Sequence, residues 1–254
     1  MTAIHTDLVT PLGAYLDLRS QGRAAFLLES VERGRLGRYS LVGCGDRIVS
    51  FEEAESCGEP VVGYLGYDQV ATLEPTVPLP ADGAGFPESR FVVADVLLRF
   101  DHVLNVAEVL AGPDDLTLDG AAPPPQLQGT RGETRRFPSR AEYMRGVERC
   151  KEHIRAGDAF QIVLSQRAVR PTDASPVAIY RALRRINPSP YLFLLELDGL
   201  SLIGSSPETV VKCDGRRAEL NPIAGSIAPG EGDAEVGRSA RCETTIWNAS
   251  PSRM

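Results

Sequence analysis

No run in this sequence approaches the roughly 18 apolar residues of a membrane-spanning helix. The first 20 residues lack a basic start followed by an apolar core, so no secretory signal is expected. Cysteine is sparse and odd in number: Cys44, Cys57, Cys150, Cys213 and Cys242, with no Cys-x-x-Cys pair. That excludes a zinc ribbon and argues against a disulfide framework, so reduced thiols in the cytoplasm are expected. Lysine is nearly missing, with only Lys151 and Lys212 among 27 basic residues. The three histidines, His5, His102 and His153, are scattered rather than paired as metal ligands. Gly43-Cys44-Gly45 lacks the third glycine of a dinucleotide fingerprint, and neither a Gly-Lys-Ser/Thr loop nor a His-Glu-x-x-His pair occurs. Residues 204–207, Gly-Ser-Ser-Pro, lack the second glycine of a nucleophile elbow. Positive charge is also short: the net charge of −7 and pI near 5.1 argue against nucleic acid as a partner.

What is present suffices for a packed globular protein. At 254 residues and 43% hydrophobic content, the chain can bury about 70–75% of its unfolded surface in one or two domains. Short strands are expected at 26–30, 38–42, 47–51 and 61–67, and an antiparallel hairpin from 91–100 and 103–110. Between 112 and 136 the chain becomes a linker rich in proline and glycine, with Pro123-Pro124-Pro125 at its centre. Ser139 and Glu142 then form a capping box for a helix carrying Tyr143, Val147, Cys150 and Ile154 on one face, closed by Gly157. Residues 160–169 alternate like a strand. Ser175-Pro176 opens a second helix lined by Ile179, Leu183 and Ile186 and stopped at Asn187-Pro188. Asp198-Gly199 and Asp214-Gly215 each mark a hairpin turn, so strands at 160–169, 191–197, 200–204 and 209–220 are expected in one antiparallel sheet. Residues 231–254 show neither period and are expected to form an unfolded tail. Helices mixed with hairpins give an α+β class, with expected parts 1–128 and 129–254.

Seven segments, taken together and in order, carry a family resemblance. They are 26–30 (Phe-Leu-Leu-Glu-Ser), 37–43 (Gly-Arg-Tyr-Ser-Leu-Val-Gly), 63–68 (Gly-Tyr-Leu-Gly-Tyr-Asp) and 157–166 (Gly-Asp-Ala-Phe-Gln-Ile-Val-Leu-Ser-Gln). The others are 180–191 (Tyr-Arg-Ala-Leu-Arg-Arg-Ile-Asn-Pro-Ser-Pro-Tyr), 204–208 (Gly-Ser-Ser-Pro-Glu) and 222–225 (Pro-Ile-Ala-Gly). This set resembles anthranilate synthase component I, the chorismate-converting subunit of tryptophan biosynthesis. The resemblance implies an antiparallel β-sandwich with outer helices, the chorismate-utilising fold. It implies a lyase that makes anthranilate and pyruvate from chorismate and ammonia, with Mg2+, and with ammonia from a glutamine amidotransferase subunit.

The resemblance also implies roles for single residues. Glu208 stands where the family has its general acid, which protonates the departing 4-hydroxyl. Gly225 and Ser226 stand at the Gly-Thr pair that contacts chorismate. Ser30, Pro190, Tyr191 and Leu192 stand in the tryptophan feedback site, Leu192 in place of a methionine. Two positions separate the relatives by chemistry. Isochorismate and salicylate synthases carry a lysine at Gln161 to activate water, and a glutamine takes up no proton at neutral pH. Aminodeoxychorismate synthases carry a nucleophilic lysine at Ala224, and alanine offers none. Ammonia as the nucleophile remains. The pattern departs from the family between 51 and 61, where a longer insert is usual, and at 227–230, where an arginine is expected before Gly230. The family's metal-binding carboxylates lie beyond the matched region, so an incomplete fold, no metal ligand in this chain and no anthranilate formation by it alone are expected. The alternatives are a non-catalytic tryptophan-binding or pairing remnant and an aminodeoxychorismate synthase component I.

Overall fold

The computed structural model describes residues 3–32, 35–79, 85–120, 123, 125, 129, 132–220 and 245–248. The chain opens with strand β1 (Ala3–His5) and helix α1 (Pro11–Leu18), whose Thr10 cap accepts from the Gly13 N–H at 3.0 Å. Strands β2 (Ala24–Glu29), β3 (Val31–Glu32), β4 (Arg35–Leu36), β5 (Tyr39–Gly45) and β6 (Ile48–Val49) follow. Helix α2 (Phe51–Ser56), strand β7 (Val61–Leu65), helix α3 (Val70–Leu73) and strands β8 (Ser89–Val93), β9 (Val96–Asp101) and β10 (Val106–Ala111) come next. The later elements are β11 (Arg135–Phe137), α4 (Arg140–Ala156), β12 (Arg167–Val169), α5 (Pro176–Ile186), β13 (Tyr191–Leu197), β14 (Leu200–Ser206), β15 (Lys212–Asp214), β16 (Arg217–Leu220) and β17 (Thr245–Asn248). The chain is therefore mixed helix and antiparallel sheet.

The chain divides into two units, Met1–Leu127 with Ser175–Pro207, and Gln128–Ala174 with Glu208–Met254. A single cut at 128/129 misses the return of 175–207 to the first unit. That return has a direct cause: β13 pairs antiparallel with β2, from Leu192 opposite Glu29 to Leu197 opposite Ala24.

In the first unit, seven antiparallel strands lie in the order β1-β10-β9-β5-β2-β13-β14. Helices α1 and α5 cover one face. There Tyr15, Leu18, Val177 and Tyr180 pack on Leu27, Leu98, Leu192 and Leu194, all at most 1% exposed. On the other face lies the sheet β6-β8-β7, with Val92 and the partly buried Ile48, Val62 and Tyr64 against Phe26, Leu195 and Leu197. This is a sandwich with outer helices. Each large side chain removed from water contributes about 1.5–3 kcal/mol. Asp198 (φ 47°) and Gly199 (φ 84°) are both left-handed, the turn whose twist suits a two-residue hairpin between β13 and β14.

Several expectations are corrected. Residues 91–100 form two strands in different sheets, because the Ala94 N–H turns to the Pro60 carbonyl (2.9 Å) and the Asp95 carboxylate accepts from the Asp46 N–H (2.8 Å). The run at 47–51 ends at Val49, since Ser50 and Glu53 form a capping box that starts α2. The buried side of α5 is Val177, Ala178 and Tyr180, whereas Ile186 is 81% exposed. The strands expected in one sheet separate into three. Of 160–169 only 167–169 finds a partner, β11, while β13 and β14 join the large sheet and β15-β16-β17 stand apart. Phe160 and Val163, at 92% and 85% exposure, have alternation without a neighbouring ladder among the described residues. Within the expected tail, Thr245–Asn248 pairs antiparallel with β16. In the second unit α4 keeps its Ser139–Glu142 capping box and its left-handed Gly157 cap, and Gly146 packs against Leu164.

The β9–β10 turn hangs on Asp101, whose side chain is 5% exposed. Its carboxylate accepts from Arg38 Nε (3.1 Å) and Nη2 (3.0 Å) and from the Val103 (2.9 Å) and Leu104 (3.1 Å) amides. Burial pushes its pKa up, but these donors outweigh burial and hold it below the ordinary 3.8. The folded value thus lies under the unfolded one. The associated stability is present above pH 3.8 and is lost as pH falls through the lower folded value. Asp101→Asn should flatten this acid limb of stability against pH, read from urea midpoints across the pH range. An unchanged limb would show that Asp101 does not cause it.

Candidate functional site

Where β2 ends and β13 begins, the ladder puts Glu29 opposite Leu192, so Ser30 and Tyr191 are the next pair outward. Beside them opens a cavity of about 700 Å³. Its walls include Leu28, Glu29 and Ser30 at the end of β2, Tyr39 and Leu41 of β5, Val62, Tyr64 and Leu65 of β7, Pro190, Tyr191, Leu192 and Phe193 at the start of β13, and Leu202 of β14. All belong to the first unit. The volume falls in the usual range of small-molecule sites, roughly 300–1,000 Å³.

Ser30 is held tightly. Its carbonyl accepts from the Gly37 N–H at 2.6 Å, and a Cβ on Gly37 would stand 2.6 Å from Ser30 Oγ and 2.7 Å from Ser30 Cβ. Only glycine fits that approach. Tyr39 is flanked by two guanidinium groups, Arg38 at 4.9 Å and Arg99 at 5.2 Å from the ring centroid. The Tyr64 hydroxyl donates to the Pro87 carbonyl at 2.8 Å, and burial pushes its pKa up. Among the described wall residues there is no Lys, Arg or His. The cavity therefore suits an aromatic, weakly charged molecule with one polar end near Ser30, and offers a dianion no cation.

Of the sequence-derived site residues, Ser30, Pro190, Tyr191 and Leu192 all line this one cavity. Leu192 is 1% exposed and belongs to the core cluster on the helix side of the sheet, so its bulk serves packing. Gln161 and Glu208 are in the second unit. Gln161 is exposed in the irregular stretch before β12, and Glu208 is half-buried just past β14. Ala224, Gly225 and Ser226 lie outside the described residues. Among the described residues no group of three or more His, Cys, Asp or Glu is placed to hold a metal ion. The sequence reading gives no role to Tyr39, Leu41, Val62 and Tyr64, although Tyr39 and Leu41 lie in the family-like segment 37–43 and Tyr64 in 63–68.

A family model described as chorismate binding enzyme matches residues 23–241, and the chain belongs to that family. It is similar to anthranilate synthase component 1 of Thermus thermophilus, 36% identical over 92% of this chain and 61% of that protein. The Streptomyces coelicolor protein of the same name is 37% identical over 87% of this chain and 53% of its own length. The chain thus spans little more than half the length of these relatives. Among solved structures, anthranilate synthase component I from Streptococcus pneumoniae superimposes with a TM-score of 0.55 at 24% identity, over 87% of this chain and 60% of that one. A menaquinone-specific isochorismate synthase from Escherichia coli gives 0.53 at 19%, over 90% and 55%. These likenesses establish a shared fold. No described helix is long and apolar enough to cross a membrane.

Gly37→Ala should force Ser30 outward and lower stability by about 1–3 kcal/mol, as overpacking does. Urea midpoints measure this. A variant as stable as the parent would show that the Gly37–Ser30 approach is slack.

Proposed function

We propose that this chain is part of an anthranilate synthase component I, and that its cavity between β2 and β13 binds tryptophan as feedback inhibitor. The reaction joins chorismate and ammonia and releases anthranilate, pyruvate and water. A glutamine amidotransferase subunit supplies the ammonia, Mg2+ supplies charge neutralisation, and the cytoplasm is its compartment. The observation that carries the reading is the meeting of Ser30 with Pro190 and Tyr191 in one aromatic-walled cavity. Indole is a large apolar ring that gains by such burial, and the Ser30 hydroxyl and nearby backbone offer hydrogen bonds to an amino-acid head group.

For the chemistry, Glu208 is the acid that protonates the leaving 4-hydroxyl. Gln161 carries no base to activate water, and Ala224 carries no amine nucleophile, which leaves ammonia to attack. Gly225 and Ser226 contact chorismate in this reading. A single placed acid supplies about 10²–10⁴-fold. The departure of the protonated hydroxyl as water, with the substrate a dianion, needs a cation as well. In this reading the carboxylates that hold Mg2+ belong to the part of the relatives that the chain does not span, since it covers 61% and 53% of two of them, and the 254-residue chain alone is expected to make no anthranilate.

Calorimetry on the 254-residue chain should show tryptophan binding, and Ser30→Ala should weaken it by about 0.5–1.5 kcal/mol. Binding of chorismate with Mg2+ but not of tryptophan would reverse the assignment of the cavity. Fluorescence assay of the same chain with chorismate, Mg2+ and ammonia should give no anthranilate, and product formation would overturn the expected inactivity. Tryptophan binding that survives when a glutaminase partner also fails to restore turnover would favour the non-catalytic module.

A further inference from the structure

The first unit contains two copies of one device. On α5, Tyr180 and Arg184 stand one turn apart and hold the carboxylate of Glu29 on β2, at 2.5 Å from the tyrosine hydroxyl and 3.4 Å from Arg184 Nη1. Tyr15 on α1 and Arg19, the residue that caps its C-terminus, stand one turn apart and hold Glu196 on β13, the tyrosine hydroxyl donating to Oε2 and Arg19 Nη2 lying 2.8 Å from Oε1. Both glutamates lie on the helix-covered face of the same strand pair, towards opposite ends. Chemically the clasps match; their neighbourhoods differ. Glu29 immediately precedes Ser30, and its side chain is 1% exposed. Helix α5 also runs on through Asn187 and Pro188 into Pro190 and Tyr191, the opposite wall of the cavity. The Val31 N–H donates to the Ser189 carbonyl at 3.0 Å, and Ser205 Oγ donates to the Asn187 carbonyl at 2.6 Å. One helix is thus tied to both walls, to one by the buried clasp and to the other through the backbone.

Resting on the tryptophan reading of the cavity, we infer that Tyr180 and Arg184 are positioning residues: through Glu29 they set the spacing of Ser30 from Tyr191 and so the affinity for ligand. The Tyr15–Glu196–Arg19 clasp serves stability alone. Burial, then the charge of Glu29, then the hydrogen bond push the Tyr180 pKa upward, so its hydroxyl stays a donor across the working pH range. Phenylalanine at 180 keeps the ring in the core and removes only that donor.

The test compares Tyr180→Phe, Arg184→Met and Tyr15→Phe in the full chain. Losing a hydrogen bond to a buried carboxylate should speed ligand-free amide exchange across 28–31 and 189–193 about tenfold in the two α5 variants. Tyr15→Phe should leave those segments unchanged while lowering the melting temperature comparably. In calorimetry the tryptophan Kd should rise about tenfold for the α5 variants and stay at the parental value for Tyr15→Phe. Equal exchange in all three variants, or an unchanged Kd in Tyr180→Phe, would overturn the inference. A parent chain that binds no tryptophan refutes the functional reading instead, and the exchange comparison then still decides whether the clasp sets the walls.

Discussion

The pairing of β2 with β13 is the contact on which the first unit depends. It joins Ala24–Glu29 to Leu192–Leu197 across a long intervening chain, and it lies within the seven-strand sheet, not at its rim. Without it, α5 would have no face to cover, Glu29 would have no clasp, and Ser30 would have no Tyr191 beside it. Both core clusters draw on these two strands. Leu27, Leu192 and Leu194 turn to the helices, and Phe26, Leu195 and Leu197 turn to the smaller sheet. The period-two alternation of two apolar strands thus supplies both halves of the sandwich.

The polar groups on the helix face follow from the same geometry. A glutamate buried there is tolerable only with donors in place, because an unpaired carboxylate away from water is expensive. Each helix brings a phenol and a guanidinium at i and i+4, the spacing that puts two side chains above one point on a sheet. On the cavity side the chemistry is the reverse: ring faces and branched aliphatics, a serine at one end, and two arginines outside the wall against Tyr39. That difference in polarity separates the side that holds the fold from the side that can hold a ligand.

How far all this could be read in advance varied with the range of the interaction involved. Helices α4 and α5 were legible because their start signals, Ser139 with Glu142 and Ser175 with Pro176, act within one turn. The β13–β14 hairpin was legible because Asp198-Gly199 determines its own twist. Sheet membership was not legible, since it depends on distant partners. The alternation at 160–166 has the strand pattern but no ladder among the described residues, and Asp95 divides what looked like one strand between two sheets. In the candidate site, Ser30, Pro190, Tyr191 and Leu192 were found by family resemblance. Tyr39 and Tyr64 were not, because nothing local marks a ring that becomes a wall only when two sheets close. Leu192 also lines the cavity, although its buried side chain belongs to the helix-side core as well.

Strand order in the large sheet also has a consequence for how the chain comes off the ribosome. β5, β9, β10 and β1 can assemble on one side of β2 as soon as the first 111 residues are out. The other edge of β2 must wait for β13. At typical elongation speeds that delay lasts roughly 4–17 s. Throughout it, the apolar stretch Ala24–Glu29 presents open backbone groups to whatever strand is nearby. The nascent chain is thus most exposed to wrong pairing while residues 112 to 190 are being made.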